Sequence, residues 1–127
     1  MDSCLLDTNV LVLAMRGRPE SLGVLLDLVA GGAKVGCSAV TVGEIYAGMR
    51  PHEAERTGEL IEELEVYPVT LEIARSAGLL KNEWKVPGYT FTLADMTIAA
   101  TALAHGLILI TDNLKNFPMA GLRVRGI

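Results

Sequence analysis

Short apolar runs alternate along this chain with longer stretches in which apolar residues recur every three or four positions. A brief apolar run feeding a 3.6-residue period is the pattern of a strand followed by a helix. Its repetition predicts a parallel sheet with helices on both faces. Residues 3–7 read as the first strand, and 9–15 with 20–30 as two apolar helices parted by the loop signal Arg16-Gly17-Arg18-Pro19 and closed by Gly31-Gly32. Residues 34–38 are a second strand, after which Thr41 opens a helix to about Met49. Pro51 suits the first turn of a further helix, carried to Glu65 by Leu60, Ile61 and Leu64. Val66-Tyr67-Pro68-Val69 is expected at a sheet edge, because Pro68 has no N–H for a central ladder. Thr70 can cap a helix whose stripe is Ile73, Ala77, Leu80 and Trp84, ending before Pro87-Gly88. Thr92 starts another, striped by Leu93, Met96, Ala100 and Leu103 and closed at His105-Gly106. Residues 107–110 form a central strand and 122–124 a weak last one.

Four carboxylates fall at the edges of these elements. Asp7 directly follows the apolar run Cys4-Leu5-Leu6, and Asp112 comes two residues after Leu107-Ile108-Leu109-Ile110. Glu44 and Asp95 lie in the first turns of two predicted helices. In open α/β sheets the ligand crevice lies beyond the carboxyl ends of the strands, so one rim would gather all four. Carboxylates held close resist ionising unless a cation neutralises them, and hard oxygen donors suit Mg²⁺ or Mn²⁺. Each acid also has a purely structural explanation. Asp7 can cap the helix it precedes; Thr41-Val42-Gly43-Glu44 and Thr92-Leu93-Ala94-Asp95 both fit a capping box; Thr111-Asp112-Asn113 fits an Asx turn. One shared metal site is the more economical account of four such coincidences. Glu59, Glu62, Glu63 and Glu65 crowd one helix and read as a solvated face, and His52 and His105 lack a paired ligand at metal-binding spacing.

Composition narrows the classes. With 127 residues, half of them hydrophobic and a fifth charged, the chain is expected to fold as one domain over residues 1–127, with apolar surface to spare for a partner. No run approaches the roughly 18 apolar residues of a membrane span, and the N-terminus lacks the pattern of a signal peptide, so a cytoplasmic protein is expected. Cys4 and Cys37 fall on two predicted strands as buried thiols. The formal net charge of −4 equals the contribution of the four acids, and bound divalent cations would turn that face positive. Arg16, Arg18, Arg50 and Lys115 follow segments that end near it and are candidates for phosphate contacts.

Leu6-Asp7-Thr8-Asn9, Ser38-Ala39-Val40-Thr41-Val42-Gly43-Glu44, Leu93-Ala94-Asp95 and Ile110-Thr111-Asp112-Asn113-Leu114-Lys115-Asn116-Phe117 together resemble the PIN domain, and within it the VapC-like toxins of type II toxin–antitoxin pairs. The resemblance spans the whole chain. It implies a three-layer α/β/α sandwich on a short, mostly parallel sheet, and Mg²⁺- or Mn²⁺-dependent endoribonuclease activity in which a metal-activated water hydrolyses an RNA phosphodiester. Asp7, Glu44 and Asp95 match the family's first three acids. The fourth position falls on Asp112 or Asn113, since the family's usual acid or amide aligns with Asn113 and its further acid with Asn116. Asp7 and Asp95 would hold the principal cation, Asp112 or Asn113 complete its shell, and Glu44 bind a second cation or position the water. Thr8 and Thr111 would tune the carboxylates from behind. A cognate antitoxin, laid along the apolar segment 10–29, and a homodimer are implied as partners. Two rival readings are a phosphoacceptor signalling domain, which lacks its adjacent acid pair here, and a PIN-like nucleic-acid- or partner-binding regulator with vestigial catalysis.

Overall fold

Leu5 and Leu6 are consecutive residues of one strand, point to opposite faces of the sheet, and are both fully buried. Adjacent residues of a strand can both be buried only where the sheet is covered on both sides. A computed structural model of the chain, describing residues 3–127, has that arrangement. Five strands, β1 (Ser3–Leu6), β2 (Lys34–Ser38), β3 (Glu65–Tyr67), β4 (Ile108–Thr111) and β5 (Val124–Gly126), form one sheet in the order β3-β2-β1-β4-β5. Every pairing is parallel.

Helices α1 (Thr8–Met15), α2 (Pro19–Ala30), α3 (Ala39–Gly48) and α4 (Ala54–Glu63) follow β1 and β2. Val10, Leu11 and Ile45 from the first and third of these pack with Cys4, Leu6, Cys37 and Ile110 on one face. Helices α5 (Leu71–Glu83) and α6 (Leu93–His105) cover the other, where Ile73, Ala77, Met96 and Ile98 meet Leu5 and Leu109. Cys4 and Cys37 are buried, as expected, and burial pushes the Cys37 thiol up to about 11. Among the described residues no helix is long and apolar enough to cross a membrane.

Four expectations are corrected. The helix expected from Thr41 starts at Ala39, because Ser38 is its cap and its hydroxyl accepts from the Val40 N–H at 3.2 Å. The helix expected from Pro51 begins as a single 3-10 turn, Pro51–Glu53, and ends at Glu63, since Glu65 already pairs in β3. On α6 the expected stripe fails at both ends: Leu93 and Leu103 are exposed, while every residue from Met96 to Ala102 is buried. Alanines at 99, 100 and 102 let that helix sink between its neighbours. The buried Thr97 and Thr101 hydroxyls are satisfied within it, donating to the Leu93 and Thr97 carbonyls at 2.7 Å each. The last strand is Val124–Gly126, two residues later than expected.

The chain runs from β1 outward to β2 and β3 on one side and then crosses to β4 on the other. The strand order therefore reverses between β1 and β4, and the crevice beyond their carboxyl ends is the natural binding position. Tight pairing of β2 with β3 depends on Gly36, because a Cβ there would run into the Glu65 carbonyl and come within 2.8 Å of the Tyr67 ring. Gly36→Ala should lower stability by about 1–3 kcal/mol in a denaturant titration, because neither a backbone carbonyl nor a packed ring can move aside freely. An unchanged midpoint would show that β3 is free to shift.

Candidate active site: an acidic cluster where the sheet reverses

Asp7 occupies the first position after β1 and is fixed from four directions. Its N–H donates to the Ile110 carbonyl at 2.9 Å, extending the β1–β4 ladder by one residue, and its carbonyl accepts from Leu11 as α1 begins. One carboxylate oxygen accepts from the Thr8 N–H at 2.9 Å and the other from the Thr111 hydroxyl at 2.8 Å. The capping role and a site role thus coexist in one side chain. Asp7 is 6% exposed, and its carboxyl is pushed up from 3.8 to about 6. Loss of water is the main cause; the charges of Asp95 and Asp112 add to it, while the hydrogen bonds from Thr111 and Thr8 oppose it.

Asp95 stands in the first turn of α6. Its N–H donates to the Thr92 hydroxyl at 3.1 Å. The helix is therefore capped by the Thr92 hydroxyl. Burial raises its pKa, a hydrogen bond with Thr92 opposes the rise, and the charge of Glu44 adds to it. Glu44 lies in the second turn of α3, too far along to box a cap at Ser38, and its Oε1 accepts from the Thr8 hydroxyl at 2.7 Å. Asp112 follows β4 and accepts from Asn9 Nδ2 at 3.3 Å. The expected Asx turn is instead closed by Thr111, whose hydroxyl accepts from the Asn113 N–H at 3.0 Å.

The structure thus brings together all four acids named from the sequence: Asp7 with Asp95 and Asp112 through their charges, Asp95 with Glu44 likewise, and Glu44 with Asp7 through Thr8. Among the described residues no lysine or arginine pairs with any of them. Nor do three of them already close on one point as a ready-made metal cage. A hard divalent ion of the Mg²⁺ type needs only one or two carboxylates from the protein, which Asp7 and Asp95 can supply, and fills the rest of its shell with water and substrate oxygens. Asp7, buried, and Asp95, half-buried, are the desolvated carboxylates such an ion neutralises, while Glu44 and Asp112 stand exposed beside them.

Two contributors escaped the sequence reading. Thr41, fully buried on α3, lies 2.9 Å from the Thr8 hydroxyl. Since Thr8 has one proton and gives it to Glu44, Thr41 must be the donor to Thr8, and the chain Thr41–Thr8–Glu44 has a fixed direction. Its T-x-x-E spacing pointed to a cap and so hid this role. Asn9 is the other, and only its position two residues after Asp7 hinted at it. A cleft of about 310 Å³ opens beside Glu44, lined by Thr8, Asn9, Arg16, Glu53 and Thr57 among others. Arg16 pairs there with Glu53 at 3.4 Å.

Comparison with known proteins accords with this geometry. The sequence profile of the PIN domain matches residues 4–118. The chain belongs to the PIN domain family, in its VapC branch. It is 30% identical over 115 residues to Ribonuclease VapC19 of Mycobacterium tuberculosis, covering 91% of this chain and 92% of that one. Among solved structures it is similar to a toxin–antitoxin complex from Klebsiella pneumoniae, at 30% identity and a TM-score of 0.77 over 93% of this chain and 92% of that one. A DNA-bound VapBC from Salmonella typhimurium is similar at 26% identity and a TM-score of 0.80, over 99% of this chain and 98% of the other. The three-layer parallel architecture expected from the PIN resemblance is that of these structures.

The burial of Asp7 has a thermodynamic consequence for the metal-free protein. Below pH 3.8 the carboxyl is protonated both folded and unfolded, and its burial costs nothing in charge. Between pH 3.8 and about 6 the unfolded chain loses the proton first, so stability falls as pH rises, and above 6 the full cost is present. Asp7→Asn should therefore raise stability in EDTA at pH 7 by about 1–3 kcal/mol and bring no gain near pH 4. Denaturant titrations at the two pH values check this; a loss of stability at pH 7 would mean that the carboxylate is already compensated within the fold.

Proposed function

We propose that this chain is a metal-dependent endoribonuclease, the toxin of a toxin–antitoxin pair, with Asp7, Glu44, Asp95 and Asp112 as its site residues. The carrying observation is the cluster of acids where the strand order reverses, none of them paired with a lysine or arginine among the described residues. The names of the relatives support the same reading, VapC19 being a ribonuclease and the Klebsiella protein part of a toxin–antitoxin complex. Asp7 and Asp95 are assigned as the direct holders of a Mg²⁺ ion, for which Mn²⁺ substitutes. Bound there, the ion supplies Lewis acidity toward a phosphodiester and lowers the pKa of water. Glu44 has one oxygen engaged by Thr8, which leaves Oε2 to accept a proton from the attacking water and fixes where that oxygen points. Thr111 holds Asp7 in place, and Asp112 completes the charge of the site from its bond with Asn9. We assign the protein to the cytoplasm, where a toxin acting on RNA would meet its substrate.

Two surfaces support partners. Helix α2 is apolar along most of its length, yet its only fully buried side chain is Ser21, and Leu26 and Val29 are each 58% exposed. An antitoxin segment covering α1 and α2 is the partner we assign to it. Leu71 and Leu79 stand exposed on α5 and support a homodimer.

That no three acids already converge on one point favours a second reading, a PIN-like regulator that binds nucleic acid or a partner and has lost cleavage. An RNA cleavage assay decides between them. The purified protein should cleave single-stranded RNA with Mg²⁺ or Mn²⁺ and not in EDTA, and Asp7→Asn and Asp95→Asn should each reduce cleavage at least about a hundredfold while remaining folded. Metal-independent cleavage, undiminished in both variants, would end the proposal, and absence of cleavage under all conditions would favour the regulator. At the fourth position, Asp112→Asn should raise the metal concentration for half-maximal cleavage by about tenfold and Asn113→Ala by less, since a carboxylate attracts a divalent ion more strongly than an amide does. The reverse order would assign the position to Asn113.

A further inference from the structure

Between the end of α5 and the start of α6 the chain makes a tight turn through Gly88, at a φ of 77°, bridged from Val86 to Tyr89. Its inner side and the last turn of α5 enclose an open cleft of about 460 Å³, lined by Lys81, Trp84, Lys85, Pro87, Tyr89 and Phe91 among others. The rings do not stack face to face on one another. Tyr89 meets Phe91 at 4.7 Å between centroids and 70° between planes, and Trp84 meets Phe91 at 6.4 Å and 62°. Phe91 is buried and anchors the group, whereas Tyr89 is 37% exposed and Trp84 half-buried. Lys81 is held on the rim by donating to the Phe91 carbonyl at 2.8 Å, which leaves two of its three ammonium donors unused by that bond. Neither Lys81 nor Lys85 pairs with a carboxylate among the described residues.

We propose that this cleft binds a nucleotide of single-stranded RNA, its base against Tyr89 and Trp84 and its phosphate on Lys81 and Lys85. The inference rests on the ribonuclease reading and adds to it the place where the substrate strand is gripped away from the scissile bond. Aromatic faces beside uncompensated cations are the chemistry that binds single-stranded nucleic acid without reading its sequence. A purely apolar partner would leave the two lysines facing nothing, and an acidic peptide would leave the aromatic surface without use. Placement favours RNA as well. Phe91 adjoins Thr92, the cap of α6, and Asp95 lies one turn further on, so the Cα atoms of Phe91 and Asp95 are at most about 14 Å apart. A strand seated in the cleft is within a few nucleotides of the acids. In a chain of formal net charge −4, a phosphate-binding spot next to an acidic site also offsets the repulsion the substrate meets before a metal binds.

Trp84 is the sole tryptophan, so its fluorescence reports on this cleft alone. The test uses the full chain carrying Asp7→Asn, which does not consume the probe, titrated with a short single-stranded oligouridylate, with binding read in parallel by anisotropy of a labelled copy. The expected result is quenching of Trp84 at the same concentrations at which anisotropy rises. Tyr89→Ala and Lys85→Gln should each weaken binding about five- to tenfold without moving the thermal midpoint, and Lys85→Arg should restore it. In the protein with Asp7 intact, Tyr89→Ala should raise KM for a long RNA and leave kcat unchanged. RNA binding that rises in anisotropy with no change in Trp84 emission or on Tyr89→Ala would overturn the cleft while leaving the ribonuclease reading standing. Failure to bind or cleave any RNA would remove both. A Trp84 emission shift that follows protein concentration alone would give the cleft to a second copy of the chain and overturn the proposal.

Discussion

A carboxylate that has lost its water and is paired with no lysine or arginine among the described residues sits where the strand order reverses, and much of the molecule is arranged to hold it there. Asp7 cannot withdraw. Its backbone belongs at once to the β1–β4 ladder and to the first turn of α1, and both side-chain oxygens are engaged by Thr8 and Thr111. The cost of keeping such a group charged is repaid only when something positive arrives. The other acids follow the same logic with looser restraint: Asp95 from a helix capped by a different residue, Glu44 through a hydroxyl chain, Asp112 from the end of the neighbouring strand.

Hydroxyls carry the fine positioning. Thr111 serves two tasks with one oxygen, donating to Asp7 and accepting from the Asn113 N–H, so the turn after β4 and the orientation of the first acid are fixed together. Thr41, Thr8 and Glu44 form a second directed chain. The buried Thr111 hydroxyl, its proton committed, leaves Asp7 little freedom, and a carboxylate placed this way needs little rearrangement when a cation binds. The site is therefore prepared in direction but open in coordination, which leaves room for substrate oxygens.

The sequence made most of this legible where burial dictated composition. Cys4-Leu5-Leu6 and Leu107 to Ile110 have to be central strands because nothing in them tolerates water, and the acids that follow them are placed by that fact alone. The short-range capping patterns were more deceptive. Ser38 and Thr41 both precede Glu44 at plausible distances, and periodicity cannot tell which hydroxyl caps and which is buried three residues on; tertiary contact with Thr8 decides it. On α6 an amphipathic stripe was expected, but a helix enclosed on most sides through its middle has no stripe to read, and its exposed Leu93 and Leu103 mark its ends. The cleft at Trp84 was invisible for a similar reason, since Trp84 reads as one more apolar position of α5 until the turn through Gly88 folds Tyr89 and Phe91 back toward it.

The central claim is that Asp7 is a charge waiting for a cation, and proton release on metal binding tests it most directly. Calorimetric titration of the RNA-free protein with Mn²⁺, repeated in buffers of different ionisation enthalpy, counts the protons that leave as the ion enters. With its carboxyl near 6, Asp7 should release roughly half a proton at pH 6 and almost none at pH 8, and Asp7→Asn should abolish that release along with most of the affinity. Tight binding at pH 6 with no proton released, or binding that survives Asp7→Asn unchanged, would contradict the account and place the cation elsewhere.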